Sequence, residues 1–462
     1  MIRLIVIYNL LFVNMTVGSV PPTQANSNRN QSAFEMATAT LPSQRQIIWQ
    51  KREIQALVHF GINTFKGREW GSGAESLSLF NPTKLDCKQW VEAAQAFGAK
   101  SITFTAKHHD GFCLWPSKYT EYTVKNTPWK NGNGDVVREL SEACRNAGVG
   151  FGIYISPADL NNRDFAVNSK KYNDYFCNQL RELLTGYGEI CEVFLDGAQP
   201  TSGHQAYDFQ RYYQMVRELQ PNAVISMRGP DVRWVGNEAG EARESEWSVV
   251  ALPMPPEKYD WPDLVASDLG SRKILNGAKH LKWYPAVADF SLRRKWFWSS
   301  EQDAAIRSLD ELFGIYLNTV GRNAVFQMNI CPDSRGLIPE KDMIRLKEFG
   351  AAVQDQFGTN LIAAAGVKVE PIKFQEGKFV RNIKLESPQL LNYVVLQEDI
   401  VHGQRVEEFE TVLTLADGEK KTIHATTIGA KRILSVGKLR VQEILVRIKL
   451  TRAEPLFSVA AY

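Results

Sequence analysis

Between about residues 50 and 350 the chain alternates repeatedly between short apolar runs of strand length and longer stretches with helical spacing, which restricts its fold more than any other feature. "IQALVHF" (Ile54 to Phe60) precedes an amphipathic stretch from Cys87 to Phe97. "SITFTA" (Ser101 to Ala106) precedes a helical pattern from Val136 to Ala147 that stops at Gly148. "GFGIYIS" (Gly150 to Ser156) leads to a helix expected over Asn173 to Tyr187, and "CEVFLD" (Cys191 to Asp196) to one over Gln205 to Leu219. "AVISM" (Ala223 to Met227) follows, then an irregular Trp- and Pro-rich region. After it come "LKWYP", a helix expected from Glu301 to about Asn318, the strand "AVFQMNI", and a helix from Pro339 to Phe357. Strands alternating with helices pair in parallel through crossover connections. Roughly 300 residues of such units suit an α/β fold of the (β/α)8-type barrel better than an open sheet.

After about residue 360 the pattern changes to short alternating strands such as "VKVEPIKF", "LNYVVLQED" and "ILVRIKLT", with a hairpin signal at Asp417-Gly418. This predicts an antiparallel β-sandwich, an accessory domain with few clustered His, Trp or carboxylates. At the other end, Arg3, the apolar run Leu4 to Val13 and the small residues Gly18 and Ser19 read as a signal peptide. The expected organisation is a signal peptide over 1–20, a flexible segment over 21–44, the catalytic barrel over 45–357 and the sandwich over 358–462. An exported protein, periplasmic or secreted, is expected.

Composition narrows the function. With 54 basic and 51 acidic residues the net charge is +3, so no concentrated basic face for nucleic acid is expected. The N-terminal apolar run is too short to span a bilayer, and no other segment reaches that length. The six Cys, with no CxxC, sit mostly in apolar periodic segments and read as free, buried thiols. Oligomeric state is left open.

The chemistry-bearing residues cluster at strand ends. His59 ends the first strand, His108 and His109 the second, Tyr154 the third, and Asp196 the fourth. Singly, a His there is commonly a hydrogen-bonded structural group, and an Asp before Gly a turn residue. Together they converge, because successive strand ends of a barrel meet on one rim. Zinc is one reading of three His and an Asp. Against it, adjacent His rings on a strand end point apart unless the chain bends, and neither HxH nor HExxH occurs. A catalytically silent carbohydrate-binding barrel is a third reading. No metal and no cofactor are expected.

The pieces "HFG", "KHHDGFCLW" and "LDGA", in this order on these strands, resemble family 29 of the glycoside hydrolases, the α-L-fucosidases. "RWVGNEAGEARESEWS" is similar to the branch of that family linked to α-1,3 and α-1,4 bonds. The resemblance implies a retaining exo-glycosidase acting on a fucosylated oligosaccharide or glycoconjugate. It implies Asp196 as nucleophile and Glu238 as acid/base, with Glu241 and Glu246 as rivals on the same acid-rich loop. It also implies sugar contacts from His59, Glu69, Trp70, His108, His109, Tyr154, Arg228 and Trp296. The segment "YPAVADFSLRRKWFW" departs from the branch pattern, which has a Glu near Val287 and Pro-Gly near Arg294-Lys295. The physical fit is independent of the family. Neutral His both donates to and accepts from hydroxyls, and aromatic rings suit the apolar methyl of a deoxy sugar.

Overall fold

The computed structural model describes residues 35–197, 204–364 and 366–462. The expected signal peptide lies outside them, as does most of the expected flexible segment. The end of that segment is structured, however: residues 35–39 are helical and Ala37 is buried among Val249, Leu275, Trp283 and Ile400.

Ten strands build the first domain and its surroundings. They are β1 (Ile54–Val58), β2 (Ser101–Lys107), β3 (Gly150–Ile155), β4 (Glu192–Leu195), β5 (Val224–Met227), β6 (Arg233–Trp234), β7 (Val249–Leu252), β8 (His280–Trp283), β9 (Ala286–Ser291) and β10 (Ala324–Ile330). Eight of them form one parallel sheet in the order β5-β4-β3-β2-β1-β10-β9-β6. The edges β5 and β6 are joined by a single parallel bridge, Ser226 to Val232, so the sheet is a nearly closed barrel. β1, β2, β4, β9 and β10 are buried at every position, as strands covered on both faces must be.

The helices that follow the strands begin where the sequence supplies an N-cap. The Asp86 carboxylate accepts from Lys88 N at 2.9 Å to start Cys87–Ala96, and Asp135 does the same from Arg138 N at 2.9 Å for Val136–Asn146. Asn168 and Asp208 cap Ser169–Gly186 and Phe209–Leu219. The helix expected from Glu301 begins later, at Leu309. Ser308 and Glu311 form a capping box there, and the preceding residues make turns instead. Trp49, on the helix Gln44–Gln50, is fully buried against Val224, Val232, Val287 and Val325 and closes the N-terminal end of the barrel.

Two expectations in the irregular region change. "LKWYP" does contain a strand, β8, but it pairs antiparallel with β7 in a separate ribbon. The barrel strand is β9, just after Pro285, and β6, of two residues, supplies the other edge. A two-residue strand has no periodicity to read.

The second domain is antiparallel: β11 (Lys368–Val369), β12 (Lys373–Gln375), β13 (Lys378–Glu398), β14 (Val406–Leu415), β15 (Lys420–Thr426), β16 (Arg432–Thr451) and β17 (Phe457–Ala461). Its hydrogen bonds form one network around β13 and β16. Register shifts between Lys384 and Gln389, and between Leu391 and Tyr393, break the β13–β16 pairing. Ile383 before the first shift, Leu385 within it, and Val394 and Leu396 after the second join the same core with Phe409, Leu413, Ile444 and Val446. One sheet thus folds over a core as a sandwich does. Asn323 ties the domains: its amide donates to Glu246 O (2.8 Å) and accepts from Ala430 N (2.7 Å). All six Cys are unpaired, five buried and Cys191 partly so.

Candidate active site

The C-terminal rim of the barrel opens on a cavity of about 250 Å³. Strand alternation delivers its walls in pairs two residues apart: Leu57 and His59 from β1, Phe194 and Asp196 from β4. His108 and His109 enter from the turn after β2. The chain does bend there, with Gly111 N donating to His108 O at 3.0 Å, so both rings face the cavity with centroids 4.0 Å apart. Tyr154 comes from β3, Met227 from β5, Trp234 from β6, Asp289 from β9, and Trp296 from the segment after β9. Glu69 and Trp70 arrive on the long loop after β1. The Trp70 ring is half-exposed and lies 4.2 Å from the His109 ring.

Asp196 and Glu238 are held in different ways. The Tyr154 hydroxyl donates to Asp196 Oδ2 at 2.9 Å, and His109 Nε2 lies 3.9 Å from the same oxygen. Burial keeps Tyr154 protonated by driving its hydroxyl well above the usual range, so it remains a donor. Glu238 accepts from Trp296 Nε1 at 3.2 Å, while the Trp296 main-chain N–H donates to both Glu69 oxygens at 2.9 and 3.2 Å. One residue thereby touches two carboxyl groups. Burial raises Glu69 despite these bonds.

The three histidines are neutral because burial penalises the imidazolium. His59 is lowered to about 4, His108 falls well below its ordinary value, and burial lowers His109 as well, with Asp196 opposing the shift. Asp289, nearly fully buried, accepts from Trp234 Nε1 at 2.6 Å, and burial pushes it up to about 7, with Glu238 and Asp196 adding to the rise. Asp263, also on the wall, is raised by burial.

Of the expected site residues, Asp196, Glu238, His59, Glu69, Trp70, His108, His109, Tyr154 and Trp296 line this one cavity. Arg228 does not. Met227, at φ +64°, takes the wall position, and the Arg228 side chain lies beside Gly197 and over the Phe209 ring. Its charge still acts on Asp263, opposing that residue's rise. Glu246 does not line the cavity either. It is fully buried, ion-paired to Arg233 and, at 3.3 Å, to Arg243, and accepts from Arg243 N at 3.0 Å. Glu241 is exposed and lies off the cavity wall. Val287, where the branch pattern has a Glu, packs into the plug around Trp49.

Sequence reading missed Leu57, Phe194, Met227, Trp234, Asp263 and Asp289. The two-residue spacing to His59 and Asp196 was a usable signal for the first two. Asp263 sits on a loop whose approach to the rim is purely tertiary. Among the described residues no group of three or more His, Cys, Asp or Glu is arranged to hold a metal ion, and no helix is long and apolar enough to cross a membrane.

A parallel barrel that gathers separately held carboxyl groups, neutral histidines and indole rings at its C-terminal rim has the makings of a glycoside hydrolase. Comparison with known proteins gives the family. The α-L-fucosidase family model matches residues 23–356. Alpha-L-fucosidase 1 of Arabidopsis thaliana is 36% identical over 448 residues, covering 90% of this chain and 86% of the relative. A Bacteroides ovatus crystal structure assigned as an α-L-fucosidase superposes with a TM-score of 0.87 at 44% identity, covering 94% of this chain and 76% of that one. The glycoside hydrolase family 29 fucosidase of Ruminococcus gnavus, solved with fucose, superposes at 0.80 with 27% identity, covering 92% of this chain and 95% of that one. The chain belongs to the α-L-fucosidase family, and it is an α-L-fucosidase in activity.

Proposed function

We propose that this enzyme is a retaining exo-fucosidase in which Asp196 is the nucleophile and Glu238 the acid/base. The observation that carries this reading is that both side chains enter one small cavity from different elements, each with its own hydrogen-bond donor. At about 250 Å³ the cavity is smaller than the roughly 300–1,000 Å³ of sites for drug-sized ligands, which favours one terminal sugar over an internal stretch of glycan. The fucose complex of the Ruminococcus gnavus relative supports fucose as that sugar.

In the first step an Asp196 oxygen attacks the anomeric carbon, the glycosidic C–O bond breaks, and Glu238 gives its proton to the leaving oxygen. The Tyr154 hydroxyl holds the attacking carboxylate in place. In the second step Glu238 takes a proton from water, the water oxygen bonds to the anomeric carbon, and the ester to Asp196 breaks. His59, His108 and His109, being neutral, hydrogen-bond the sugar hydroxyls. Trp296 and Phe194 offer apolar surface for the methyl group.

The preferred bond is α-1,3 or α-1,4 in branched, Lewis-type glycans, supported by the "RWVGNEAG" segment that carries Trp234 and Glu238 to the wall. Action outside the cytoplasm follows from the N-terminal segment. The test is kinetic. Asp196→Ala should lose essentially all turnover. Glu238→Ala should keep forming the fucosyl-enzyme from an activated aryl fucoside and regain turnover with azide. More than a few per cent of activity in the Asp196 variant contradicts the assignment. Faster cleavage of 2′-fucosyllactose than of a Lewis trisaccharide contradicts the bond preference alone.

A further inference from the structure

We propose that Asn329 is a positioning residue that fixes His59 as an acceptor-only imidazole toward the sugar. The inference rests on the fucosidase reading of the cavity and assigns a role to a residue of β10 that does not line it. Asn329 is fully buried. Its Oδ1 accepts the main-chain N–H of His59 at 3.1 Å, and a main-chain N–H can only donate. Its Nδ2 donates to Trp296 O at 2.9 Å, and a carbonyl can only accept; Ser291 Oγ at 3.1 Å and Cys331 Sγ at 3.2 Å are its other neighbours. Two main-chain groups therefore decide which end of the amide is oxygen, independently of any side-chain choice.

That oxygen also lies 2.9 Å from His59 Nδ1. Since a carbonyl oxygen cannot donate, Nδ1 must carry the hydrogen. In the neutral ring Nε2 is then a bare lone pair. The ring is enclosed by His108, Tyr154, Trp296 and Phe297, with centroids 5.1 to 5.6 Å away. The titratable groups facing it are His108 and His109 after β2, Tyr154 of β3 and Asp196 after β4; β10 offers only the neutral Asn329. Burial outweighs the opposing Asn329 hydrogen bond and the Asp196 charge and holds the ring neutral to about pH 4.

The same amide acts on the opposite wall. By holding Trp296 O it anchors the residue whose own N–H binds Glu69 and whose ring reaches Glu238. One buried side chain thus sets the proton on a hydroxyl-binding histidine and the placement of the indole between two carboxyl groups. The consequence for substrate is specific: the hydroxyl opposite His59 must donate, so a fluorine or methoxy group there forfeits the contact.

Two measurements test this. Nitrogen NMR of full-length protein labelled with ¹⁵N-histidine, with His59 assigned through His59→Gln, should show the Nδ1–H tautomer from pH 6 to 8. An Nε2–H tautomer, or an imidazolium at pH 6, overturns the proposal. In Asn329→Asp a carboxylate opposite Nδ1 favours the imidazolium, which has no lone pair at Nε2. The acid limb of kcat/KM should then move up by about one pH unit or more, with the alkaline limb in place. A folded Asp variant with an unmoved acid limb contradicts the proposal; if that variant does not fold, the tautomer decides. An active enzyme with the wrong tautomer sinks this inference alone, whereas a wild type inactive on every fucoside sinks the underlying reading.

Discussion

Asp289 and Glu246 are both buried acids near the same loop, and their environments assign them opposite parts. Glu246 is neutralised by Arg233 and Arg243, so its charge belongs to the scaffold. Asp289 is buried with an indole N–H and, among the described residues, no cation as partner, and it feels the charges of Glu238 and Asp196, so it holds its proton to about pH 7. Below its ordinary pKa of 3.8 Asp289 is protonated in folded and unfolded chains alike. As pH rises to about 7 the unfolded chain releases that proton first, so the cost to the fold grows across this window and is constant above it. Asn keeps an oxygen for Trp234 and carries no charge. Asp289→Asn should therefore raise Tm more at pH 8 than at pH 4, by an amount corresponding to about 2 kcal/mol or more. An equal change at both pH values contradicts this account. The sequence showed Asp196 and the His pair because each directly follows an apolar run. It could not separate Glu238 from Glu246, the two ends of nine residues of acid-rich loop, because what distinguishes them is the burial of Glu246 with Arg233 and Arg243.

The loop after β6 turns on two glycines with positive φ, Gly236 at +102° and Gly240 at +74°. A Cβ on Gly240 would stand 2.8 Å from Ile315 Cγ2 and 2.9 Å from Phe290 Cδ1, so the backbone is pressed onto the outer face of β9. This tight path brings Glu238 to the rim. Gly240→Ala should displace it, lowering kcat/KM on a Lewis trisaccharide at least about tenfold, since an L-residue there costs roughly 1–2 kcal/mol before any clash. An activated aryl fucoside, whose leaving group needs little protonation, should lose much less. Equal losses on the two substrates would place the defect elsewhere than in acid catalysis. The requirement for two turning glycines was readable in "VGNEAG". The strand that anchors the loop was not, because Arg233 and Trp234 are too few to show a period and because β9 hides between Pro285 and a basic run.

At the scale of the whole molecule, alternation of strand and helix was legible because most barrel strands are short, largely apolar runs and each crossover helix starts at its own Asp, Asn or Ser cap. What the sequence could not show is how the parts are joined. Trp49 plugs the bottom of the barrel from outside the repeat, and Asn323 bonds to Glu246 O, Ser248 and Ala430 at once, locking the sandwich against the ribbon and barrel. These tertiary ties hold the rim on which eight strands converge. The central claim is that the rim performs a double displacement with Asp196 as the atom-bonding group. Incubation with a 2-deoxy-2-fluoro-fucosyl donor bearing a good leaving group slows both steps but the second more, so the intermediate accumulates. Peptide mass spectrometry of the trapped enzyme should find one fucosyl adduct, on Asp196. An adduct on any other residue, or complete turnover to the inverted sugar with no adduct, contradicts the account.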